Sequence, residues 1–428
     1  MIALFVSVLL VLLVIGTAIG IALGLTGIFF MILHGMIPLT VISQTVYKNL
    51  TSYTFLAIPF FIFVGNLVLH GPILTSIVRF ANQLFKNVTG GLAVGVMAIS
   101  TFFGAISGSS AASAAAIGGA TTRALEEQYP KNFVAGLVAS GGTIGLMIPP
   151  SLAFIVIGGM VGLPVIDLFK AGLGVGLIQG LLLCITVYLI CKIRGWGRVQ
   201  SDLAEKETPR EYFFKLGRYF VQSWTIILLP ILILGGLFLG LFTPTEISAV
   251  SAVYCLIIVM FVYRAITGKQ FVSIVQDTLY KSCMIYLIII GAHLLSYVVT
   301  RYGFAQQIID FLTRIDMSAW QFLLMVNVLL LVLGMFLDGS SMTLLTAPLL
   351  FPLATHYGID PIHFAVIMVA NSEIGALTPP VGINLFVMSG VSKISPMQVA
   401  KGTLPFYVTM IIFLLIVTYV PQLSLFLL

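Results

Sequence analysis

Four short segments of this chain carry residue types able to hold ions in an apolar setting, and they come as two matched pairs. Ser107-Gly108-Ser109-Ser110 is followed by Gly145-x3-Pro149-Pro150, and Asp338-Gly339-Ser340-Ser341 is followed by Gly375-x3-Pro379-Pro380. Proline removes a backbone donor, clashes with the preceding helical turn and pushes the residue before it out of helical geometry. Two consecutive prolines in an apolar run therefore break a helix and free the carbonyls of Gly145–Ile148 and Gly375–Thr378. Freed carbonyls are hard oxygen ligands for a small cation. The half-helix that begins after each break presents N–H groups and a positive dipole end, which suit a carboxylate. The Gly/Ala/Ser-rich run Gly104–Gly119 is short of lipid-facing bulk and reads as a re-entrant hairpin. Irregular backbone at membrane depth is tolerated only inside protein or beside a cavity.

The spacing shows that one unit occurs twice. Ser107 to Asp338 and Pro130 to Pro361 are both shifts of 231 residues, and Ile144 to Ile374 is a shift of 230. In an apolar chain such a pattern points to a transporter built from two structural repeats. The chain is apolar: of 428 residues 60% are hydrophobic and 8% charged, where a soluble protein carries about 25% charged residues. Many segments reach the roughly 20 residues needed to cross the hydrocarbon core. Met1–Tyr47 is uncharged, lacks a basic start and reads as a retained membrane segment. The net charge of +6 is no nucleic-acid signal, because seven of the 20 Lys/Arg fall between Lys192 and Arg218, alternating with Asp202, Glu205, Glu207 and Glu211. That suits a solvated loop beside lipid headgroups. Cys184, Cys191, Cys255 and Cys283 show no metal-ligand spacing and read as packed hydrophobes. His34, His70, His293, His356 and His363 do not cluster, and Trp196, Trp224 and Trp320 fall at predicted helix ends.

Charge orients the two copies. The positive-inside rule places Lys192–Arg218 in the cytoplasm, together with the Arg79, Lys86, Arg123 and Lys131 flanks of the first repeat. The flanks of the second repeat, with Asp310, Asp316, Asp360, His356 and His363, have lost that bias and read external. The repeats are thus inverted across the membrane, an arrangement that exposes one site alternately to each side. The expected organisation is scaffold helices over 1–94, then hairpin 1 with its broken helix over 95–160. Scaffold and arm helices with a cytoplasmic loop at 192–220 follow over 161–332. Hairpin 2 with its broken helix covers 333–392, and a C-terminal helix covers 393–428. Asp338 sits at the second tip, where it would raise cation affinity or cap the descending half-hairpin. Glu373 takes the register of Thr143, as a site carboxylate or a structural hydrogen-bonding group.

Rival chemistries find little support. Gly268-Lys269 lacks the upstream glycine spacing of a nucleotide loop. No histidine is tied to Ser107-Gly108 as a serine protease requires, and Asp338 has no paired aspartate. Channels build pores from re-entrant loops too, but inverted repeats favour alternating access.

The apolar chain, the two Gly-Ser-Ser tips, and the breaks Gly145-Leu-Met-Ile-Pro-Pro-Ser151 and Gly375-Ala-Leu-Thr-Pro-Pro-Val-Gly382 resemble the large membrane subunit of tripartite ATP-independent periplasmic (TRAP) transporters over essentially the whole length. The tips lack the Ser-Asn-Thr motif of divalent-anion/sodium symporters. The resemblance implies an all-α polytopic membrane protein, an inverted-repeat elevator-type transporter with two re-entrant helical hairpins and two Pro-broken helices. It implies a multi-pass protein of the bacterial inner membrane, with sodium as coupling ion and no other cofactor. It further implies a small TRAP membrane subunit and a periplasmic binding protein that delivers an organic acid of the sialic-acid or C4-dicarboxylate type, sialic acid being favoured on overall likeness. Carried over residue by residue, sodium site 1 is Ser107, Ser109, Ser110 and Gly145. Sodium site 2 is Asp338, Gly339, Ser340, Gly375, Thr378 and Pro379. Ser113, Ser151, Asn371, Ser372 and Asn384 are the substrate candidates.

Overall fold

Apolar runs punctuated by Gly, Pro and Ser/Thr-x-x-Glu/Gln become helices, and the computed structural model of the chain contains no strand among its described residues, 2–33, 39–69, 73–197 and 208–428. The N-terminal apolar run is two helices, α1 (Ile2–Val14) and α2 (Ile19–Leu33), parted at Gly16, whose φ is +87°. The amphipathic α3 (Leu39–Leu50) precedes α4 (Ala57–Leu69) and α5 (Ile73–Phe85). The first repeat comprises α6 (Gly91–Ser107), α7 (Ser110–Glu126), α8 (Lys131–Thr143) and α9 (Leu152–Val161). Three long helices follow: α10 (Val165–Arg194), α11 (Pro209–Phe238) and, after α12 (Pro244–Ile257), α13 (Gly268–Arg301). The amphipathic α14 (Phe304–Arg314) leads into the second repeat, α15 (Ala319–Gly334), α16 (Gly339–His356), α17 (Pro361–Gly375) and α18 (Ile383–Ser392). The chain ends with α19 (Pro396–Tyr419) and α20 (Gln422–Leu425). Among the described residues five helices are long and apolar enough to cross a membrane, or six if the bent α3–α4 pair is one span.

Two sequence expectations need correction. The polar loop expected over 192–220 is shorter, because α10 runs to Arg194 and α11 already begins at Pro209. Thr208 and Glu211 form a reciprocal capping box with Pro209 at the first helical position, a start signal that outweighs the local charge. The middle of that loop, 198–207, lies outside the described residues, as do His34 and His70. The longer α11 also puts Trp224 well inside a helix rather than at an end.

The broken helices are the centre of the structure. Every residue of Phe133–Thr143 in α8 and of His363–Gly375 in α17 is buried. Around them pack α6, α7, α10, α15, α16, α18 and α19, while α2, α4, α12 and α13 pack mainly on one another. The pairs α13–α16 and α4–α6 join these groups. α8 and α19 cross at Gly136 and Gly402 with backbones in direct contact, so neither position has room for a Cβ.

Candidate functional site

Both predicted tips are helical hairpins. In the first, α6 ends at Ser107 and the chain reverses through Gly108, whose φ is +59°. A Cβ there would also lie 2.6 Å from the Pro150 carbonyl oxygen, so the tip rests on the first break and only glycine fits. Ser109 is extended and its carbonyl accepts the Ser113 N–H at 3.0 Å as α7 begins. This folds three oxygens toward Gly145. A Cβ on that glycine would lie 2.8 Å from Ser113 Oγ and 3.4 Å from both Ser107 Oγ and the Ser109 carbonyl oxygen. The Ser107 and Ser113 hydroxyls share a hydrogen bond. Ser107, Ser109 and Gly145 are therefore together, joined by Ser113 from the substrate candidates. Ser110 points elsewhere, accepting a 2.7 Å hydrogen bond from Asn384 Nδ2 of the second repeat.

The second tip is built differently. Asp338 caps α16, its Oδ2 accepting from the N–H groups of Ser340 at 3.0 Å and Ser341 at 3.2 Å, and its Oδ1 accepting from the Ser341 hydroxyl. The capping role and the tip position both hold for this carboxylate. At Gly339 a Cβ would meet Ser372 Cβ at 3.1 Å and Leu146 Cδ1 at 3.2 Å, so the second tip touches both breaks. Gly375 lies against Gly334 as Gly145 lies against Gly104. Thr378 donates to the Ile374 carbonyl at 2.7 Å, and Pro379 is exposed beside it.

Several carbonyls expected to be free are already taken. The Leu146 oxygen accepts from the Ser151 hydroxyl, that of Gly375 from the Thr378 N–H at 3.0 Å, and that of Ala376 from the Asn384 N–H at 3.1 Å. The chain folds back on itself after each Pro-Pro, and buried donors seek the nearest acceptors. Both Pro-Pro bonds are cis.

The five substrate candidates do not form one cluster. Ser113 belongs to the first oxygen group, and Ser151 is the N-cap of α9, accepting from the Phe154 N–H. Ser372 lies under the second tip, its hydroxyl donating to the Met368 carbonyl at 2.9 Å. Asn371 donates to Asn327 Oδ1 at 2.8 Å, and Asn327 donates to Thr418 Oγ1 at 3.0 Å. Asn384 binds Ser110 and the Ala139 carbonyl. The side-chain oxygens Asn371 Oδ1 and Asn384 Oδ1 are buried and without a hydrogen-bond partner.

Sequence reasoning missed one central pair. Gln179 of α10 donates to Glu373 Oε2 at 2.5 Å, and both residues are buried. Glu373 Oε1 is buried without a hydrogen-bond partner, and α17 packs against the Ile144–Leu146 turn of the first break. A lone amide in a long apolar helix was the available signal.

Residues 6–423 match the family described as Tripartite ATP-independent periplasmic transporter, DctM component. The C4-dicarboxylate TRAP transporter large permease protein DctM of Pseudomonas aeruginosa is 36% identical over 405 residues, covering 94% of this chain and 93% of that protein. The sialic acid TRAP transporter large permease protein SiaM of Vibrio cholerae is 34% identical over 414 residues, covering 96% and 95%. Among solved structures, the YdaH transporter of Alcanivorax borkumensis superposes with a TM-score of 0.64 over 89% of this chain and 88% of that one, at 13% identity, a likeness of fold.

Proposed function

Because the chain belongs to the tripartite ATP-independent periplasmic transporter family as its large membrane component, we propose that it drives sodium-coupled uptake of an organic acid by an elevator mechanism. It is a multi-pass membrane protein of a transporter family, not an enzyme. In this reading it sits in the bacterial inner membrane, works with a small membrane subunit, and receives its substrate from a periplasmic binding protein.

The observation that carries the sodium reading is the convergence of Ser107 Oγ, Ser113 Oγ and the Ser109 carbonyl on Gly145. Hydroxyl and carbonyl oxygens gathered against a broken helix are ligands for a hard monovalent cation. The second site uses the Asp338–Ser341 tip and the Gly375–Pro379 break, and differs by one carboxylate. Cation binding at each site pins a tip against a break, and the acid binds between them near the midplane. The moving block comprises the two repeats, 95–160 and 333–392, which contain the two broken helices. It slides past the framework of α2, α4, α12 and α13. An empty block that moved with sodium alone would leak the gradient, so the unfilled site resists transit.

Relatives near one another in identity carry names for C4-dicarboxylate and for sialic acid, and the substrate belongs to the organic acids these names span. The test is uptake into proteoliposomes with the small subunit and a candidate binding protein, across a panel of dicarboxylates and sialic acid. Accumulation against a concentration gradient only under an inward sodium gradient supports the reading. Equilibration without accumulation makes it a channel, and sodium-independent accumulation removes the cation sites.

A further inference from the structure

A groove of about 350 Å³ opens beside the second break, between Leu377–Thr378–Pro379 and the first half of α19. Its α19 wall carries Met397, Lys401, Leu404 and Tyr407. Three observations identify what it takes. First, the wall is continuous with an exposed apolar stripe. Met397 and Leu404 are more than half exposed, and the same face runs on through Val408, Ile412 and Leu415. Second, the threonine hydroxyls along the groove are occupied, since Thr378 donates to Ile374 and Thr403 donates to the Ala400 carbonyl at 2.8 Å, and the Tyr407 hydroxyl lies 3.4 Å from Thr378 Oγ1 at the deep end. A polar solute would find little here except the Tyr407 hydroxyl and Lys401, whose ammonium pairs with no carboxylate among the described residues. Third, the dimensions match one leaflet. Gly402 packs on the Asn132 carbonyl, which sets Lys401 level with Lys131, at the end that the positive-inside rule assigns to the cytoplasm. From Met397 to Tyr407 the helix rises about 15 Å, half of a hydrocarbon core roughly 30 Å thick.

We infer that this groove binds an anionic phospholipid of the cytoplasmic leaflet, its phosphate on Lys401 and one acyl chain lying along α19 as far as Thr378 and Pro379. Basic side chains at the cytoplasmic edge of helix bundles recognise such headgroups. The acyl chain then forms the outer wall of the second break, so the lipid is a structural ligand of the segment proposed to hold the second cation. Only the uptake arm of the following test rests on the transport reading.

The complete transporter is placed in nanodiscs of phosphatidylcholine with or without phosphatidylglycerol, and retained lipid is measured by native mass spectrometry. The wild type is expected to retain phosphatidylglycerol over phosphatidylcholine. Lys401→Gln should weaken phosphatidylglycerol retention about fivefold, the equivalent of one basic contact at a membrane surface, and Lys401→Arg should keep it. Leu404→Trp, which fills the groove, should lower retention of both lipids. In proteoliposomes, uptake by the wild type should rise with phosphatidylglycerol and that of Lys401→Gln should not. Equal retention of the two lipids by the wild type overturns the inference, as does wild-type preference in Lys401→Gln. So does cross-linking of Met397→Cys to the small subunit, which would put protein in the groove. Absence of uptake in every sample with the lipid preference intact would refute the transport reading and leave this one standing.

Discussion

Gly334 and Gly375 meet backbone to backbone: a Cβ on Gly375 would lie 2.5 Å from Gly334 Cα. Gly104 and Gly145 repeat the relationship, with 3.1 Å from a Cβ on Gly104 to Gly145 Cα. One arm of each hairpin therefore leans on its break with only hydrogens between, the close approach that small residues permit in membranes. Gly375→Ala forces backbone apart and should destabilise the protein by about 1–3 kcal/mol. Thermal unfolding in detergent should show this, along with lost uptake at normal membrane insertion. An unchanged melting temperature would show that the contact relaxes.

Asp338 combines a cap with a charge, and two substitutions separate them. Asp338→Asn keeps an oxygen for the Ser340 and Ser341 N–H groups and should leave stability close to wild type. Asp338→Ala removes the cap and should cost about 1 kcal/mol. If the charge holds a cation, both should raise the sodium concentration for half-maximal uptake by about tenfold or more. Wild-type sodium dependence in Asp338→Asn would limit this carboxylate to capping.

Ser110 and Asn384 tie the first tip to the half-helix after the second break. A double-mutant cycle of Ser110→Ala and Asn384→Ala, read by thermal unfolding, should give a coupling of about 1 kcal/mol. Additive losses would mean the two repeats are not linked through this bond.

Much of this was legible in the sequence, and the reason is local chemistry. The breaks, the tips and the repeat are written in Gly, Pro and Ser at fixed spacing, and these types dictate backbone whatever surrounds them. Ser151 shows where such patterns are ambiguous: a hydroxyl just before an apolar half-helix is a cap as readily as a ligand, and this one caps α9. Helix starts were missed where polar residues open a span. α13 likewise begins among polar residues at Gly268 and carries Lys281 and Asp277 as an ion pair at 2.7 Å. Thr267 and Gln270 form the capping box that marks that start. The pairings Gln179–Glu373 and Ser110–Asn384 depend on how distant helices dock, which no local pattern encodes.

Gln179 and Glu373 should behave as a pair. Glu373→Leu leaves the Gln179 amide buried without its acceptor and should lower stability by about 2 kcal/mol. Glu373→Gln retains a hydrogen-bonding group, and the exchange Gln179→Glu with Glu373→Gln should recover most of the melting temperature. Failure of the exchange to recover stability would show that the acid must sit on α17.

The bond from Asn384 to Ser110 spans 274 positions along the chain. At roughly 5–20 residues per second, a ribosome needs on the order of 14–55 s to travel that far. During this interval the newborn first hairpin lies in the bilayer with the Ser110 hydroxyl and the Ala139 carbonyl waiting for their donor. Biogenesis is therefore exposed to a timed hazard. Slow codons or a stalled translocon between the repeats would lengthen the wait.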